Sequence, residues 1–270
     1  MGFLYETHLH TMEASKCGRV PGADYIAYMR AKGYDGMIVT DHFFNGNSCI
    51  SEELPWEERV RLYTEGYEHA VKAAEGTGFS VFFGIEYNFE GDEFLLYGVN
   101  PEWLLCHPDI ERCSRAEVYQ AVHEEGGIMI HAHPFRERGY LSAIHLTPSV
   151  CDGIEVYNSG NKDYQNALAA RYAKERSFRV TAGSDIHYFE QDAHLHVHSV
   201  GYREGNRNLF AMGGMEFPEK LGSIREFVSA VMEGTGTAVE VVGQIRYPVS
   251  QVPELNETDR KPELPVIWHD

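Results

Sequence analysis

Short apolar runs rich in β-forming residues alternate with segments of helical period from the first residues to about residue 235. Such alternation implies βαβ units and a largely parallel sheet. The pattern predicts strands at 3–8, 36–40, 79–86, 94–99, 127–132, 153–157 and 180–183, with helices at 22–32, 56–76, 115–125, 164–177 and 223–232. Several helical stretches have a glycine shortly after their end, where the chain needs a residue that tolerates a left-handed turn. Glu90, Gly91 and Asp92 read as a hairpin turn between two strand-like runs, so one connection departs from a regular parallel barrel. From Thr235 the text changes to β-branched residues and then to a tail carrying Pro248, Pro253, Pro262 and Pro265, which favours extended backbone. The expected architecture is an irregular α/β barrel over residues 1–235. An extended C-terminal arm over 236–270 would pack on the barrel or on a neighbouring subunit.

A chain of 270 residues with 43% hydrophobic and 24% charged residues can bury one large core. No apolar run approaches the ~20 residues a spanning helix needs, and no basic segment followed by an apolar stretch opens the chain. Glu6 stands where a myristoylation signal would place Ser or Thr. The protein is therefore expected in the cytoplasm, without a membrane partner. Five cysteines, Cys17, Cys49, Cys106, Cys113 and Cys151, form no close pair and are expected reduced. A formal charge of −18 disfavours a nucleic-acid partner, because such affinity rests on Lys and Arg neutralising phosphates.

Residues of metal-ligand type collect where the predicted strands end. His8 and His10 close the first strand, Asp41 and His42 follow the second, and Glu86 ends the third. His131 and His133 end a later strand, and Asp185 and His187 follow the run 180–183. Parallel barrel strands all point their C-terminal ends at one mouth, so these residues should converge there. His8 and His10 are two apart, which puts both imidazoles on one face of an extended strand. A lone strand-end histidine is commonly a hydrogen-bonded structural residue. Five such ends together would leave charges desolvated beside one another unless cations offset them. Imidazole and carboxylate without paired thiolates suit Zn, Mn or Fe.

The sequences Glu-Thr-His-Leu-His-Thr at 6–11, Thr-Asp-His at 40–42, Gly-Ile-Glu at 84–86, His-Ala-His-Pro at 131–134 and Gly-Ser-Asp-Ile-His at 183–187 resemble the ordered motifs of the PHP family, named for polymerase and histidinol phosphatase. The resemblance spans about residues 1–200. It implies a distorted, TIM-like (β/α)7 barrel holding two to three divalent ions, with phosphoesterase activity. Carried over by position, His8, His10, Glu86 and Asp185 would hold the first ion, with Glu86 bridging to a second. His133, directly before Pro134, matches the ligand of that second ion, and His131 becomes a supporting residue. His42 and His187 would hold the third ion, while Asp41 orients the neighbouring backbone and histidine. Glu86, Asp185 and His187 would also serve the reaction. Two positions depart from the family pattern. After the first motif the chain reads Glu13, Ser15, Lys16 and Cys17 where many members supply His or Asp, and Glu13 is the nearest substitute. Between Glu86 and His133, Glu93 stands where many members have a further histidine.

The chemistry so implied is attack on a phosphate ester of a small substrate by a metal-bridging hydroxide, with ions ~3.5 to 4 Å apart clamping the displacement. No nucleophile elbow or phosphate-cradling glycine loop competes for the role. Arg136 is the main candidate for a phosphate fork, with Lys16 and Arg19 as further cations. Asn158 could reach the mouth from a strand end. His194, His196 and His198 alternate with Leu195 and Val197, and His194 is the one expected to approach substrate. Tyr63 and Tyr67, at helical spacing, read as packing residues. Two other readings stay open: an amidohydrolase-type enzyme acting on amides or lactones, and a metal-binding module without catalysis. Substrate identity and oligomeric state are not encoded legibly.

Overall fold

The structure is a computed structural model that describes residues 2–189 and 210–269. Its strands are β1 (Phe3–Glu6), β2 (Gly36–Val39), β3 (Ser80–Phe89), β4 (Asp92–Tyr97), β5 (Ile128–His131), β6 (Ile144–Leu146), β7 (Gly153–Asn158), β8 (Arg179–Gly183), β9 (Ala211–Phe217), β10 (Thr237–Val242), β11 (Ile245–Pro248) and β12 (Val266–Trp268). The helices are α1 (Tyr25–Ala31), α2 (Trp56–Ala74), α3 (Pro101–Cys106), α4 (Arg115–Glu124), α5 (Asp163–Arg176) and α6 (Ile224–Glu233). All five predicted helices and all seven predicted strands occur within a few residues of their expected bounds. Helix α3 and the strands β6 and β9 to β12 are additional.

Among the described residues, ten strands form one curled sheet in the order β11-β10-β9-β1-β2-β3-β4-β5-β7-β8. Strands β1, β2 and β3 are parallel, as are β5, β7 and β8. Strand β4 runs antiparallel between β3 and β5, and the hairpin turn at Glu90 and Gly91 explains why: both residues take positive φ. The chain after β8 curls back to the chain after β1, where Leu9 bridges Ile186 and Asp185 N–H donates to the His8 carbonyl over 2.8 Å. This is a mixed α/β half-barrel in which alternation of parallel strand and helix is interrupted at β4. Strands β10 and β11 join the main sheet beside β9, whereas β12 pairs with β6 in a separate two-stranded sheet.

Local sequence accounts for the helix ends. Ser114 and Glu117 form a reciprocal capping box at the start of α4, and Ser223 caps α6, which stops at Gly234 in the left-handed region. Helix α2 buries Val60, Tyr63, Ala70 and Ala74 against the sheet, and the Tyr63 hydroxyl donates to the Asp41 carbonyl over 2.5 Å. Tyr63 thus packs the core, as its spacing suggested, and also holds the segment that carries His42. No helix among the described residues is long and apolar enough to cross a membrane.

Strand β9 crosses the end of β8 without side chains between them. A Cβ on Gly213 would lie 2.1 Å from the Gly183 carbonyl oxygen, and a Cβ on Gly183 would lie 2.5 Å from His8 Cβ. Gly213→Ala should therefore destabilise the fold by about 1–3 kcal/mol, lowering Tm by roughly 2–4 °C per kcal/mol in a chain of this size. Gly139→Ala, where nothing lies within 4 Å, should leave Tm unchanged in the same melting experiment. Equal melting of both variants would contradict the close approach.

Candidate metal centre

The strand-end residues do converge, and Glu86 is at their middle. Its Oε1 lies 3.1 Å from His8 Nε2 and 3.0 Å from His133 Nε2. Its Oε2 lies 3.3 Å from His10 Nε2 and 2.7 Å from His42 Nδ1. Asp185 Oδ1 is 3.0 Å from His10 Nε2 and 3.5 Å from His8 Nε2. Glu93 approaches from β4, 3.5 Å from His133 and 3.7 Å from His42. The His187 ring stacks on His10 at 4.3 Å.

Backbone geometry aims these groups. Strand β3 runs past Glu86 to Phe89, so Glu86 sits within the strand, and His42 bridges it from the chain after β2. His133 and Asp185 have φ of 32° and 56°, a region that non-glycine residues seldom occupy. Strain of this kind persists where the surroundings over-determine a conformation, and here both residues carry converging side chains.

Beneath this layer is a second one whose polar atoms are mutually satisfied. Glu155, fully buried on β7, takes His8 Nδ1 at 2.9 Å on one oxygen. Its other oxygen accepts from His133 N–H at 3.0 Å and Asn158 Nδ2 at 2.9 Å. Asp41 accepts from Thr11 N–H, Thr11 Oγ1 and Ser15 Oγ. Ser15 Oγ in turn accepts from His42 N–H and faces His10 Nδ1 at 3.0 Å. Asp41 is therefore linked to His10 and to the His42 backbone through Ser15. Burial raises the Asp41 carboxyl to about 6 against these hydrogen bonds.

These contacts assign tautomers. Because Ser15 Oγ donates its proton to Asp41, it can only accept from His10, so His10 Nδ1 carries a proton and Nε2 carries a lone pair. Glu155 fixes His8 in the same way. The two Nε2 atoms nevertheless lie 3.2 Å apart, an arrangement that repels unless a proton or a cation stands between them. His187 Nδ1 donates to the Asp185 carbonyl over 2.7 Å, which turns its Nε2 toward the cluster as well.

Whether cations fit is answered by these donors. Among the described residues, four sets of ligand atoms lie mutually within 4.8 Å: His8, Glu86 and His133; His8, His10 and Asp185; His42, Glu86 and Glu93; and His10, His42 and His187. Glu86 Oε2 and His42 Nδ1 are buried without any hydrogen-bond partner, although only 2.7 Å apart. Burial alone would push the His8 and His42 imidazoles down, yet Glu155, Asp185 and Glu86 hold His8 well above its ordinary range and Glu86 leads in doing so for His42. His10, buried beside His187 and His42, is driven the other way. Glu93 is raised by burial and by Glu86. The pocket calls for positive charge, and imidazole with carboxylate oxygen suits divalent first-row ions.

The remaining expected residues divide. Arg136 is partly buried at the mouth, 2.6 Å from Asp185 Oδ2, with its guanidinium also donating to Asn158 and Asn161. Asn158 thus positions Arg136 as well as Glu155. His131 points elsewhere: it lies 2.7 Å from Asp92 and stacks on Phe94. Glu13 accepts from Gly22 N–H and pairs with His69, and it belongs to none of the ligand sets. Lys16 and Arg19 are exposed, and the Arg19 guanidinium donates to neighbouring carbonyls. His194, with His196 and His198, lies outside the described residues. Sequence reasoning missed Glu155, and it read Ser15 and Cys17 only as residues at a position that departs from the family pattern. Burial would raise the Cys17 thiol, but the neighbouring His187 and His42 imidazoles bring it down to about 6.

An open cleft of about 690 Å³ lies over the cluster, with His42, Glu93, Asp185 and His187 on its floor and Arg136, Arg138 and Tyr140 along one wall.

Two outcomes follow for metal binding. Glu155→Ala should weaken divalent-ion affinity by about 10–100-fold, as loss of a carboxylate that orients a ligating histidine does, in a chelator-competition titration. Protons held on His8, His42 and His187 compete for the same donors, so affinity should fall as pH is lowered. Affinity indifferent to both changes would mean that ions bind elsewhere.

No family model and no curated protein matches this sequence. Solved structures do. A two-domain protein from Bacteroides vulgatus, described as containing a predicted PHP-like metal-dependent phosphoesterase, superposes with a TM-score of 0.63 at 14% identity, covering 94% of this chain and 69% of that one. PfuEndoQ from Pyrococcus furiosus, a lesion-specific endonuclease, gives 0.53 at 13% identity over 99% of this chain and 75% of its own. An amidohydrolase from Chromobacterium violaceum with bound sulfate gives 0.50 at 15% identity over 70% and 89%. At such identities the likeness speaks for architecture, and in architecture the chain resembles the PHP-like metal-dependent phosphoesterases, as its ordered motifs do.

Proposed function

We propose that this chain is a metal-dependent phosphoesterase acting on a small phosphorylated substrate. The observation that carries the reading is the Glu86 carboxylate, approached on one oxygen by His8 and His133 and on the other by His10 and His42. That is the arrangement of a carboxylate shared between two cation sites. In this reading the seven strands β1–β5, β7 and β8 are the strands of a distorted (β/α)7 barrel, and residues 236–270 are an extension beyond it. Two to three ions of Zn, Mn or Fe type would be held by His8, His10, His42, Glu86, Glu93, His133, Asp185 and His187. Such ions supply a water nucleophile at neutral pH and offset charge on the phosphoryl oxygens.

The side chains have separable tasks. His8, held by Glu155, and His10, held by Ser15, are pre-oriented donors that need no rearrangement. Arg136, fixed by Asn158 and Asn161, presents a planar fork at the edge of the cleft suited to two phosphate oxygens. Asp185, paired with that fork, and His187, beside His10 and His42, line the cleft and can accept or pass a proton at the reacting centre. The cleft wall of Arg136, Arg138 and Tyr140 favours a compact anionic substrate. A net charge of −18 disfavours a long polynucleotide, although the likeness to an endonuclease keeps an oligonucleotide in the panel of substrates to be tried.

Purified protein should be stripped with chelator and assayed with Mn²⁺ or Zn²⁺ on phosphomonoesters, phosphodiesters and a short oligonucleotide, beside amides and lactones. Turnover of a small phosphoester that needs added metal and vanishes in His10→Ala is the expected result. Turnover of amides or lactones in its place would move the assignment to the amidohydrolase reading, and metal binding with no turnover at all would leave a binding module. On the phosphoester, Arg136→Ala should raise KM by about 10–100-fold, the worth of a lost charge-assisted pair. An unchanged KM would remove Arg136 from substrate recognition.

A further inference from the structure

The cleft wall that carries Arg136 is a loop, and the far end of the chain holds it. Residues 132–143 join β5 to β6 with no helix or strand among them, and they bring Arg136, Arg138, Tyr140 and Leu141 to the cleft. Three consecutive charged side chains fan out from this loop. Arg136 turns to Asp185, Asn158 and Asn161, and Arg138 donates to the Gly160 carbonyl over 3.0 Å. Glu137, between them, faces another way. Its Oε1 accepts from Glu263 N–H at 2.6 Å and from Leu264 N–H at 2.8 Å, and its Oε2 accepts from the Tyr164 hydroxyl on α5. Burial would raise this carboxyl, but Tyr164 and the two N–H groups hold it below its ordinary value. The segment that follows grips the other end of the loop. Ile144 N–H donates to the Pro265 carbonyl and His269 N–H to the Leu146 carbonyl, both over 2.8 Å, as β12 lies parallel to β6, and His269 Nε2 meets His145 Nδ1 at 2.7 Å. A pair of three-residue strands is too short to hold alone, and side chains anchor it on α5. Trp268 packs edge-on against Tyr172 at 5.7 Å with the Arg176 guanidinium 4.9 Å over its ring, and the Arg260 guanidinium lies 3.8 Å over the Tyr164 ring.

Resting on the assignment of Arg136 to substrate phosphate above, we propose that residues 263–269 are a strap that fixes the backbone from which the Arg136 fork extends, with Glu137 as the positioning residue through which the strap acts on phosphate recognition. Asn158 and Asn161 orient the guanidinium, and Glu137, one residue on, ties the main chain to the strap and to α5 at once. A planar fork has to meet two phosphate oxygens in register, and a displacement of about 1 Å in a positioning group costs up to about 100-fold. His133, at the start of the same loop, is held separately by the bond from its N–H to Glu155. The strap therefore bears on the affinity for phosphate and leaves the donor set below it in place.

The test is a double-mutant cycle on full-length, Mn²⁺-loaded protein, read by calorimetric titration with inorganic phosphate and by kinetics on the phosphoester. Glu137→Ala should weaken phosphate binding and raise KM by about tenfold, with kcat and metal content as in wild type. Added to Arg136→Ala it should change nothing further, since both substitutions act through one guanidinium. Glu137→Gln, which keeps an oxygen for the two N–H groups, should restore most of the affinity. Trp268→Ala, at a half-exposed position that anchors the strap, should weaken phosphate binding in the same direction, and it decides the matter if Glu137→Ala fails to fold. Phosphate affinity unchanged in the folded variants, or losses that add in full to that of Arg136→Ala, overturn the proposal, as does a fall in kcat or metal content at unchanged KM. Phosphate binding that follows the expected pattern without phosphoester turnover sinks the phosphoesterase reading and leaves the strap standing, whereas wild-type protein that binds no phosphate sinks both.

Discussion

Placing many carboxylates out of water in one pocket is the constraint on which this structure turns. Glu6, Asp41, Glu86, Glu155 and Asp185 are all buried, and Arg136 pairs directly with Asp185. An isolated carboxylate in such surroundings would take up a proton before it stayed charged. Two solutions are visible at two depths. Glu6, Asp41 and Glu155 are each surrounded by hydrogen-bond donors: Ser184 and His8 N–H for Glu6, Thr11 and Ser15 for Asp41, and His8, His133 N–H and Asn158 for Glu155. Glu86 is surrounded by imidazoles alone, and one of its oxygens has no hydrogen bond. The deep carboxylates are satisfied by the protein. The upper one is arranged for something the polypeptide does not itself supply.

That division explains why the fold is irregular where it is. The half-barrel brings strand ends to one mouth, but a carboxylate between four histidines must reach further in than a loop can place it. Strand β3 runs on through Glu86 and turns back as β4, which returns Glu93 to the same cluster. An antiparallel strand in an otherwise parallel neighbourhood is thus the local change that sets a second carboxylate beside the first. Positive φ at His133 and Asp185 is the comparable adjustment on the other side of the pocket.

The apolar-run pattern was sufficient to find the strands around the mouth, and the His-x-His spacing and strand-end carboxylates were sufficient to find most of the cluster. What escaped has physical reasons. Strand β9 reads Ala-Met-Gly-Gly-Met-Glu-Phe, and its glycines exist for the close crossing at Gly183, which removes the β-branched signature of a strand. Glu155 left a trace, since a charge inside the apolar run Gly-Ile-Glu-Val-Tyr repeats the Gly-Ile-Glu of 84–86, and a buried strand has no solvent face to give it. The departure of Glu13 from the cluster left none. It lies in an irregular loop and is drawn to Gly22 N–H and His69, long-range contacts that residue spacing does not encode.

Ser15 shows how tightly support and ligation are joined. One hydroxyl gives its proton to Asp41 and receives from His10 and from the His42 backbone, so donor and acceptor capacity are fully used. Replacing it would release the His10 tautomer, the position of His42 and a donor to a buried carboxylate together. Such a node cannot be read as catalytic or structural in isolation. Because Asp41 is also tied to Thr11 twice and its own carbonyl accepts from Tyr63 on α2, the packing of a helix on the outside of the sheet reaches the His10 imidazole through Tyr63, Asp41 and Ser15. Rigidity of the donor set therefore derives from the core, and the cleft above it is left free to differ in shape without disturbing the positions of the donor atoms.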